Sequence, residues 1–535
     1  MKYLFEITNT DLLARKGIIH TAKGDIRTPC FVPVVHPEPS KNFIDVQTFQ
    51  DKYLVDFIIT SSYILRKRFE NKITNLHDLT SFPGPIMTDS GAYQSLLYGE
   101  IELTPKNVIE FQEFIGSDFG VPLDIPISIN DSYAEAKMKV EKTIERSRDI
   151  SSLISNTNTK WVAPIQGGKF IDLVKKSAQE LGHIEIFDMF AIGSVVEIMN
   201  NYMYDTLLEI ILTAKQYLDP KKPVHLFGAG HPSIFPFIVA AGCDSFDSAA
   251  YALYAQENRY LTNTQTFLLD ELDEFPCNCP ICSTISPTEM KGLKKNERVK
   301  LLATHNLYVC QTEIMNIRRA ISSGTLWNLL ESRSRVHPNL RKGFNVLIKH
   351  SSLLLPNSSS TKKKGLFFVS DSDLEKPEVL LHKKRLSELK LNKRKKLIVL
   401  SILNKDITEL YDLFTNLKNI MKSNDKLNRN YEFWILNDYF GIIPLEISDV
   451  YPLSQSVSVT TLPENQLMNI IHSTLDFITK LKFKEIIFLG ELAEFLTILQ
   501  NQSFFTFDKE KIKAYNFSVS QKNFDKIKFI LNSVF

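Results

Sequence analysis

Cysteine is scarce in this chain, with six in 535 residues. That excludes a disulfide-stapled secreted scaffold, in which cysteines would be dense and evenly spread. Long apolar runs are missing too, and no stretch approaches the roughly 18 apolar residues that a membrane span needs. The start, MKYLFEITNTDLL, carries acidic residues early and lacks the apolar stretch and small-residue cleavage site of a signal peptide. A cytoplasmic location is the expectation, without membrane contact. Net charge is nearly absent at +2, so any nucleic-acid contact has to come from local clusters of charge. Glycine is sparse, at 20 residues, while Lys, Ile and Asn are frequent; this reads as genome composition and says nothing of function.

What is present is an ordinary folded composition, 44% hydrophobic and 23% charged. The length exceeds what one core accommodates, so two or three domains are expected. Over the first 250 residues one theme repeats, a short apolar run followed by an amphipathic segment. Runs at 26–35, 55–61, 84–90, 121–128, 160–167, 188–195, 223–230 and 243–249 read as strands, with helices such as 106–115 and 133–153 between them. The runs are continuously apolar, as in parallel strands buried on both faces. Strands alternating with helices in this number predict an α/β fold, a (β/α)8 barrel; an open doubly wound sheet is the alternative.

The polar residues favour the barrel. Asp89, Asp124, Gln166, Gly193 with Ser194, Gly228 and Asp247 all stand at or near the C-terminal ends of their runs. A barrel brings those ends to one mouth, where active sites are built. A single aspartate at a strand end is more often a turn former or a helix cap; the argument rests on their convergence.

Three of the cysteines crowd into CNCPIC at 277–282, and 22 residues separate Cys282 from His305. Cys277, Cys279, Cys282 and His305 make a closed tetrahedral set for a structural Zn2+, one per chain. The cysteines carry this reading; His305 rests on spacing, and Cys310 competes for the fourth place. A helical region follows over about 296–349. The segment LLLPNSSSTKKKG at 353–365 has linker composition. Strands near 396–403, 432–437 and 484–490 then mark a separate α/β domain. The expected layout is a catalytic barrel with the zinc insertion over 1–355, a linker at 356–365, an accessory α/β domain over 366–500 and an appendage at 501–535.

Several stretches together resemble the archaeal tRNA-guanine transglycosylases. They are TPCFVPVVHP, MTDSGAYQ at 87–94, GSDFGVPLDIP at 116–126, APIQGG at 163–168, AIGSVV at 191–196, HLFGAGHP at 225–232, DSFDSAAYALYA at 244–255, CNCPIC, HNLYV at 305–309 and DYFGIIPLEISDVYPLSQ at 438–455. The resemblance covers most of residues 1–450. It implies a zinc-bearing barrel enzyme that replaces guanine at position 15 of tRNA with 7-cyano-7-deazaguanine, in archaeosine biosynthesis. Such an exchange passes through an oxocarbenium-like state, and a covalent ribosyl-enzyme lets one base leave before the other enters.

Carried over residue by residue, the resemblance implies Asp247 as covalent nucleophile and Asp89 as general acid/base, with both kept as catalytic. It implies Asp124 as reader of the guanine edge, and Gln166 with the backbone of Gly193, Ser194, Val195 and Val196 around the carbonyl side of the base. Tyr93 and Phe227 are candidates to stack on the base, and Gly228 lines the same site. Two non-exchanging readings compete, a relative that acts later on the nitrile and a tRNA-binding scaffold subunit. Both predict damaged aspartates, whereas Asp89, Asp124 and Asp247 are intact.

The superfamily commonly dimerises through its zinc region, so a homodimer is implied. Archaeal members commonly end in a β-rich RNA-binding module, the PUA domain. The closing residues, KAYNFSVSQKNFDKIKFILNSVF, lack the short glycine-punctuated strands of such a barrel. The expectation is that a separate PUA-bearing protein acts in trans; the alternative is that the chain binds tRNA weakly on its own and with unusual salt sensitivity. The run HKKRLSELKLNKRKK at 382–396, with eight Lys or Arg and one acid, and Lys362–Lys364 are candidate phosphate contacts; a solvated helix face is the alternative.

Overall fold

The computed structural model describes residues 4–69, 75–92, 103–155, 158–358, 362, 365–389, 396–403, 405, 407–450, 452–458, 462–481, 483–491 and 512–534. The chain forms two compact units, Met1–His350 and Ser351–Phe535. The division falls just before the segment whose composition suggests a linker. The start of that segment is helical, over Ser351–Leu354 and Leu355–Asn357.

The first unit opens with an antiparallel sheet of β1 (Phe5–Asp11), β2 (Ala14–Thr21) and β3 (Gly24–Thr28). Eight parallel strands follow: β4 (Cys30–Pro33), β5 (Ile58–Ser61), β6 (Ile86–Asp89), β7 (Phe119–Gly120), β8 (Lys160–Ile165), β9 (Phe187–Ile192), β10 (Val224–Leu226) and β11 (Ser245–Ser248). Their order is β4-β11-β10-β9-β8-β7-β6-β5. A parallel bridge between Val34 and Ile59 joins the two ends, with the Val35 N–H donating to the Ile59 carbonyl at 2.9 Å. The sheet is a closed (β/α)8 barrel. Val32, Ile59, Met87, Phe119, Val162, Met189 and Ala191 fill its interior. Phe5, Ile19 and Ile26 of the antiparallel sheet join that cluster and plug the end where the barrel strands begin.

Two departures from the sequence reading have clear causes. The run 26–35 is two strands, because β3 belongs to the plug and β4 to the barrel, with Pro29 between them. The fourth barrel strand is Phe119–Gly120, ahead of the expected 121–128. Pro122 and Pro126 have no N–H to give a ladder. Side chains satisfy that backbone instead. Gln112 bonds both the N–H and the carbonyl of Val121, at 3.0 and 2.9 Å, Thr143 accepts from Ile125 N–H at 3.0 Å, and Ser194 accepts from Ile127 N–H at 2.8 Å. Asp124 is thereby carried on an irregular but fully anchored loop.

After the barrel come a hairpin, β12 (Arg259–Leu261) with β13 (Thr266–Leu268), the CNCPIC segment, and the helices Lys295–Ser323, Leu326–Ser334 and Pro338–Lys349. In the second unit β14 (Leu366–Phe368) pairs with β18 (Ser456–Ser458). A larger sheet is built from β15 (Lys396–Ser401), β16 (Tyr431–Asn437), β17 (Gly441–Pro444), β19 (Ile486–Gly490) and β20 (Ile512–Asn516), in the order β17-β16-β15-β19-β20. Only β17 runs antiparallel within it. The helix Tyr411–Ser423 packs on one face and Glu464–Lys480 largely on the other. The described part of the C-terminal appendage, from Ile512, has a place: β20 extends the sheet edge, and Ile527, Ile530 and Leu531 of the last helix enter the core.

The expected phosphate contacts change here. Lys362 is buried in an ion pair with Glu378 and is not available to RNA. His382 is buried and donates from Nε2 to the Ile442 carbonyl at 2.7 Å, while Lys383, Lys384 and Arg385 stay exposed. Residues 363–364 and 390–395 lie outside the described residues.

One buried ion pair fastens the plug to the barrel. Arg15 donates from Nε to Asp244 Oδ1 at 2.9 Å and pairs its Nη2 with Oδ2, while its Nη1 and Nη2 reach the carbonyls of Pro220 and Lys222 at 2.5 and 3.0 Å. Asp244, fully buried, also accepts from Val224 N–H at 2.8 Å. Removing one partner leaves a buried charge uncompensated. Arg15→Met is expected to destabilise the barrel unit by about 3–5 kcal/mol in urea unfolding; a loss below about 1 kcal/mol would mean that the pair behaves as a surface contact.

Candidate active site and metal centre

The rim of the barrel gathers the strand-end residues. Asp89 ends β6, Asp247 lies in β11, Gln166 directly follows β8, Gly193 directly follows β9, Gly228 stands just past β10, and Asp124 sits on the loop after β7. Tyr93 lies outside the described residues.

Asp124 is the hub of one hydrogen-bonded chain. Its Oδ1 accepts from Ser90 Oγ at 2.8 Å and its Oδ2 from Gln166 Nε2 at 2.5 Å. Ser194 Oγ in turn donates to Gln166 Oε1. Gly193 allows this arrangement, because a Cβ there would stand 2.6 Å from Gln166 Nε2. Ser194 itself has φ 58°, a conformation costly for a residue with a side chain. Val195 is buried, and Val196 begins a short helix. Gly228 has φ +70°, and a Cβ there would meet Val196 Cγ2 at 2.5 Å. Burial raises the pKa of Asp124, against the hydrogen bonds from Ser90 and Gln166 and the charge of Arg146.

Asp247 is held differently. Its Oδ1 faces His225 Nε2 at 3.1 Å and accepts from Gly228 N–H at 3.0 Å. Its backbone carbonyl accepts from Ala229 N–H at 2.7 Å, locking the loop after β10 to β11. Phe227 is partly buried over the barrel interior, with its ring centroid 5.0 Å from that of His225.

Asp89, at the end of β6, is partly buried. Its Oδ1 accepts from Gly91 N–H at 3.0 Å. Burial pushes its carboxyl up to about 7; the neighbouring Asp247 and Asp124 add to the rise, and the Ser61 hydroxyl and Gly91 N–H oppose it. A carboxyl poised there can give or take a proton near neutral pH.

Sequence reasoning missed His225, Ser90 and Arg146. Ser90 follows Asp89 directly, in the motif read for the aspartate alone. His225 was hidden in an apolar run, where a histidine is usually core.

The cysteine cluster forms as spaced. Ligand atoms of Cys277, Cys279, Cys282 and His305 all lie within 4.8 Å of one another. His305 Nδ1 faces Cys279 Sγ at 3.5 Å and Cys282 Sγ at 3.3 Å, and its Nε2 bonds the Leu261 carbonyl at 2.9 Å. Nε2 therefore carries the proton, and Nδ1 presents a lone pair to the sulfurs' centre, as in metal-bound histidines. Tyr260 stacks on the imidazole at 3.8 Å. The metal-ligand group includes His305 and not Cys310, which is buried with its thiol pKa raised by that burial. The four groups can hold a metal ion.

A closed barrel with one carboxyl held near neutrality and another held by N–H donors is the equipment of an enzyme that moves protons and substitutes at carbon, as glycosyl-transferring enzymes do. The chain belongs to the queuine tRNA-ribosyltransferase family, whose sequence model matches residues 10–339. It is accordingly a glycosyltransferase. It is 40% identical over 464 residues to the tRNA-guanine(15) transglycosylase of Methanococcus vannielii, covering 85% of this chain and 69% of that protein. It is also 40% identical over 462 residues to the enzyme of the same name from Methanocaldococcus jannaschii, covering 84% and 68%. The Methanobrevibacter smithii protein of that name is 38% identical over 465 residues, covering 86% and 69%. Among the described residues no helix is long and apolar enough to cross a membrane.

The raised Asp89 pKa has a consequence for stability. Between the ordinary value of 3.8 and about 7 the fold keeps a proton that the unfolded chain has released. Stability therefore falls as pH rises through that window. Asp89→Asn is expected to be more stable than the native chain by about 4 kcal/mol at pH 8, with the gap closing by about pH 4. A gap independent of pH would contradict the raised pKa.

Proposed function

We propose that the protein exchanges guanine at position 15 of tRNA for 7-cyano-7-deazaguanine through a covalent ribosyl-aspartate, in archaeosine biosynthesis. The observation that carries this reading is the division of environments among three rim carboxylates. Asp89 is poised near 7, Asp247 is fixed by His225 and Gly228, and Asp124 is tied to Ser90 and Gln166. Relatives named tRNA-guanine(15) transglycosylases support the exchange of guanine in tRNA.

Asp247 attacks the ribose C1′ as the C1′–N9 bond breaks, and the bonding pair leaves with guanine. Asp89 supplies a proton to the departing base. It then takes the N9 proton of the incoming deazaguanine, whose N9 reforms the bond and frees Asp247. Asp124 accepts from the ring N–H and exocyclic amine of either base. Gln166 and the backbone of Gly193, Ser194, Val195 and Val196 contact the carbonyl side. Phe227 stacks, and Gly228 keeps the floor open. The target nucleotide leaves its stack to enter the mouth. Incubation with guanine-labelled tRNA and 7-cyano-7-deazaguanine is expected to release label. Stoichiometric tRNA binding with no release under any deazaguanine would favour a scaffold.

The metal is Zn2+. Three sulfurs and one imidazole suit its tetrahedral preference, and four protein ligands leave no place for a reactive water, so its role is structural. Metal analysis is expected to find one zinc per chain, and Cys279→Ala to lose both the metal and stability. A Cys279→Ala protein of unchanged stability would contradict this.

A further inference from the structure

We propose that His225, held by Ser245, is a positioning residue that fixes which oxygen of Asp247 attacks the ribose and steadies that carboxylate when it leaves. The proposal rests on the reading of Asp247 as nucleophile.

His225 lies in the middle of β10 and is fully buried. Its ladder partner on β11 is Ser245, and Asp247 stands one layer nearer the mouth on the same face of β11. The ring is pinned from both nitrogens, with Nδ1 2.9 Å from Ser245 Oγ and Nε2 3.1 Å from Asp247 Oδ1. The Phe227 ring packs against it in a T-shaped arrangement, at an interplanar angle of 70°. An ionised carboxylate only accepts hydrogen bonds, so the imidazole proton has to stand on Nε2. Nδ1 is then an acceptor, and the buried Ser245 hydroxyl is the donor that faces it. Hydrogen bonding thus sets the tautomer, with the serine donating to the imidazole and the imidazole to the carboxylate.

Gly228 N–H donates to the same oxygen, Oδ1, at 3.0 Å. Among the described residues, every side-chain hydrogen bond to this carboxylate ends on Oδ1. Oδ2 is the oxygen left to react. Its lone pair forms the bond to C1′ while the C1′–N9 pair departs with the base, and Oδ1 becomes the carbonyl oxygen of the resulting ester. When the second base attacks, the Oδ2–C1′ pair returns to the carboxylate, and negative charge reappears on Oδ1. Two N–H donors are already aimed there, so no reorganisation is needed as the charge develops. A carboxylate anchored by Gly228 alone could turn about its Cβ–Cγ bond and offer either oxygen.

The test is steady-state exchange by the full chain, with kcat and KM for tRNA and for 7-cyano-7-deazaguanine measured in four variants. His225→Leu is expected to lower kcat about 100-fold with both KM values unchanged. His225→Gln, whose amide N–H replaces the Nε2 donor, is expected to recover to within roughly tenfold of the native rate. A merely structural histidine would not give this split or this rescue. Ser245→Ala removes one oxygen and covers the case in which His225→Leu fails to fold; the same split is expected, with a drop of roughly tenfold, and an unchanged kcat overturns the proposal. Asp247→Ala separates the two levels. If it exchanges bases as fast as the native chain, the nucleophile reading itself falls. If exchange needs Asp247 but runs at the native rate in His225→Leu, the positioning role alone falls.

Discussion

Eight short parallel strands have two apolar faces and two open edges, and closing the sheet on itself removes both edges at once. The contact that does so runs between the strand after Cys30 and the strand ending at Ser61, through Val34, Val35 and Ile59. Everything functional follows from that closure. Once the two edge strands β4 and β5 meet, all eight C-terminal ends lie on one rim, and residues from Asp89 to Asp247 become neighbours. The opposite end is sealed by the antiparallel plug, which Arg15 fastens to Asp244. The mouth is thereby the accessible end of the core.

Crowding carboxylates into that mouth has an energetic cost, and the surroundings decide how each one meets it. Asp124 is given two donors and a distant arginine. Asp247 is given an imidazole and a backbone N–H on one oxygen. Asp89 has a backbone N–H and a serine hydroxyl against burial and two like charges, and it answers by holding its proton. The three carboxylates therefore share one rim but differ in their hydrogen-bond partners. The strained φ at Ser194 and the glycines at 193 and 228 belong to the same design, since they let backbone and side chains approach where an ordinary residue would collide.

Much of this was legible in the sequence. Continuous apolar runs gave the barrel because strands buried on both faces have no polar alternation to hide them. The candidate metal ligands were legible because three thiols at such spacing can converge on one ion. The failures are equally physical. The plug went unseen because its first turn is made by Leu12 and Leu13, both buried, with no glycine or asparagine to mark it. Residues 121–128 have the apolar character of a strand, but Pro122 and Pro126 cannot donate to a ladder, and the segment forms a loop instead. The edge strand at Ile512–Asn516 is largely solvent-facing and carries no apolar signature. His225 was invisible because its meaning lies in Ser245 and Asp247, which the chain brings to it only through the barrel register.

The most direct test of the central claim is chemical identification of the intermediate. The protein is mixed with tRNA in the absence of free base and quenched in denaturant. After digestion with nuclease and protease, peptide masses are read for an attached ribose. The account predicts ribose on the peptide that carries Asp247. Ribose on the peptide that carries Asp89, or full exchange activity with no adduct at any time, would contradict it.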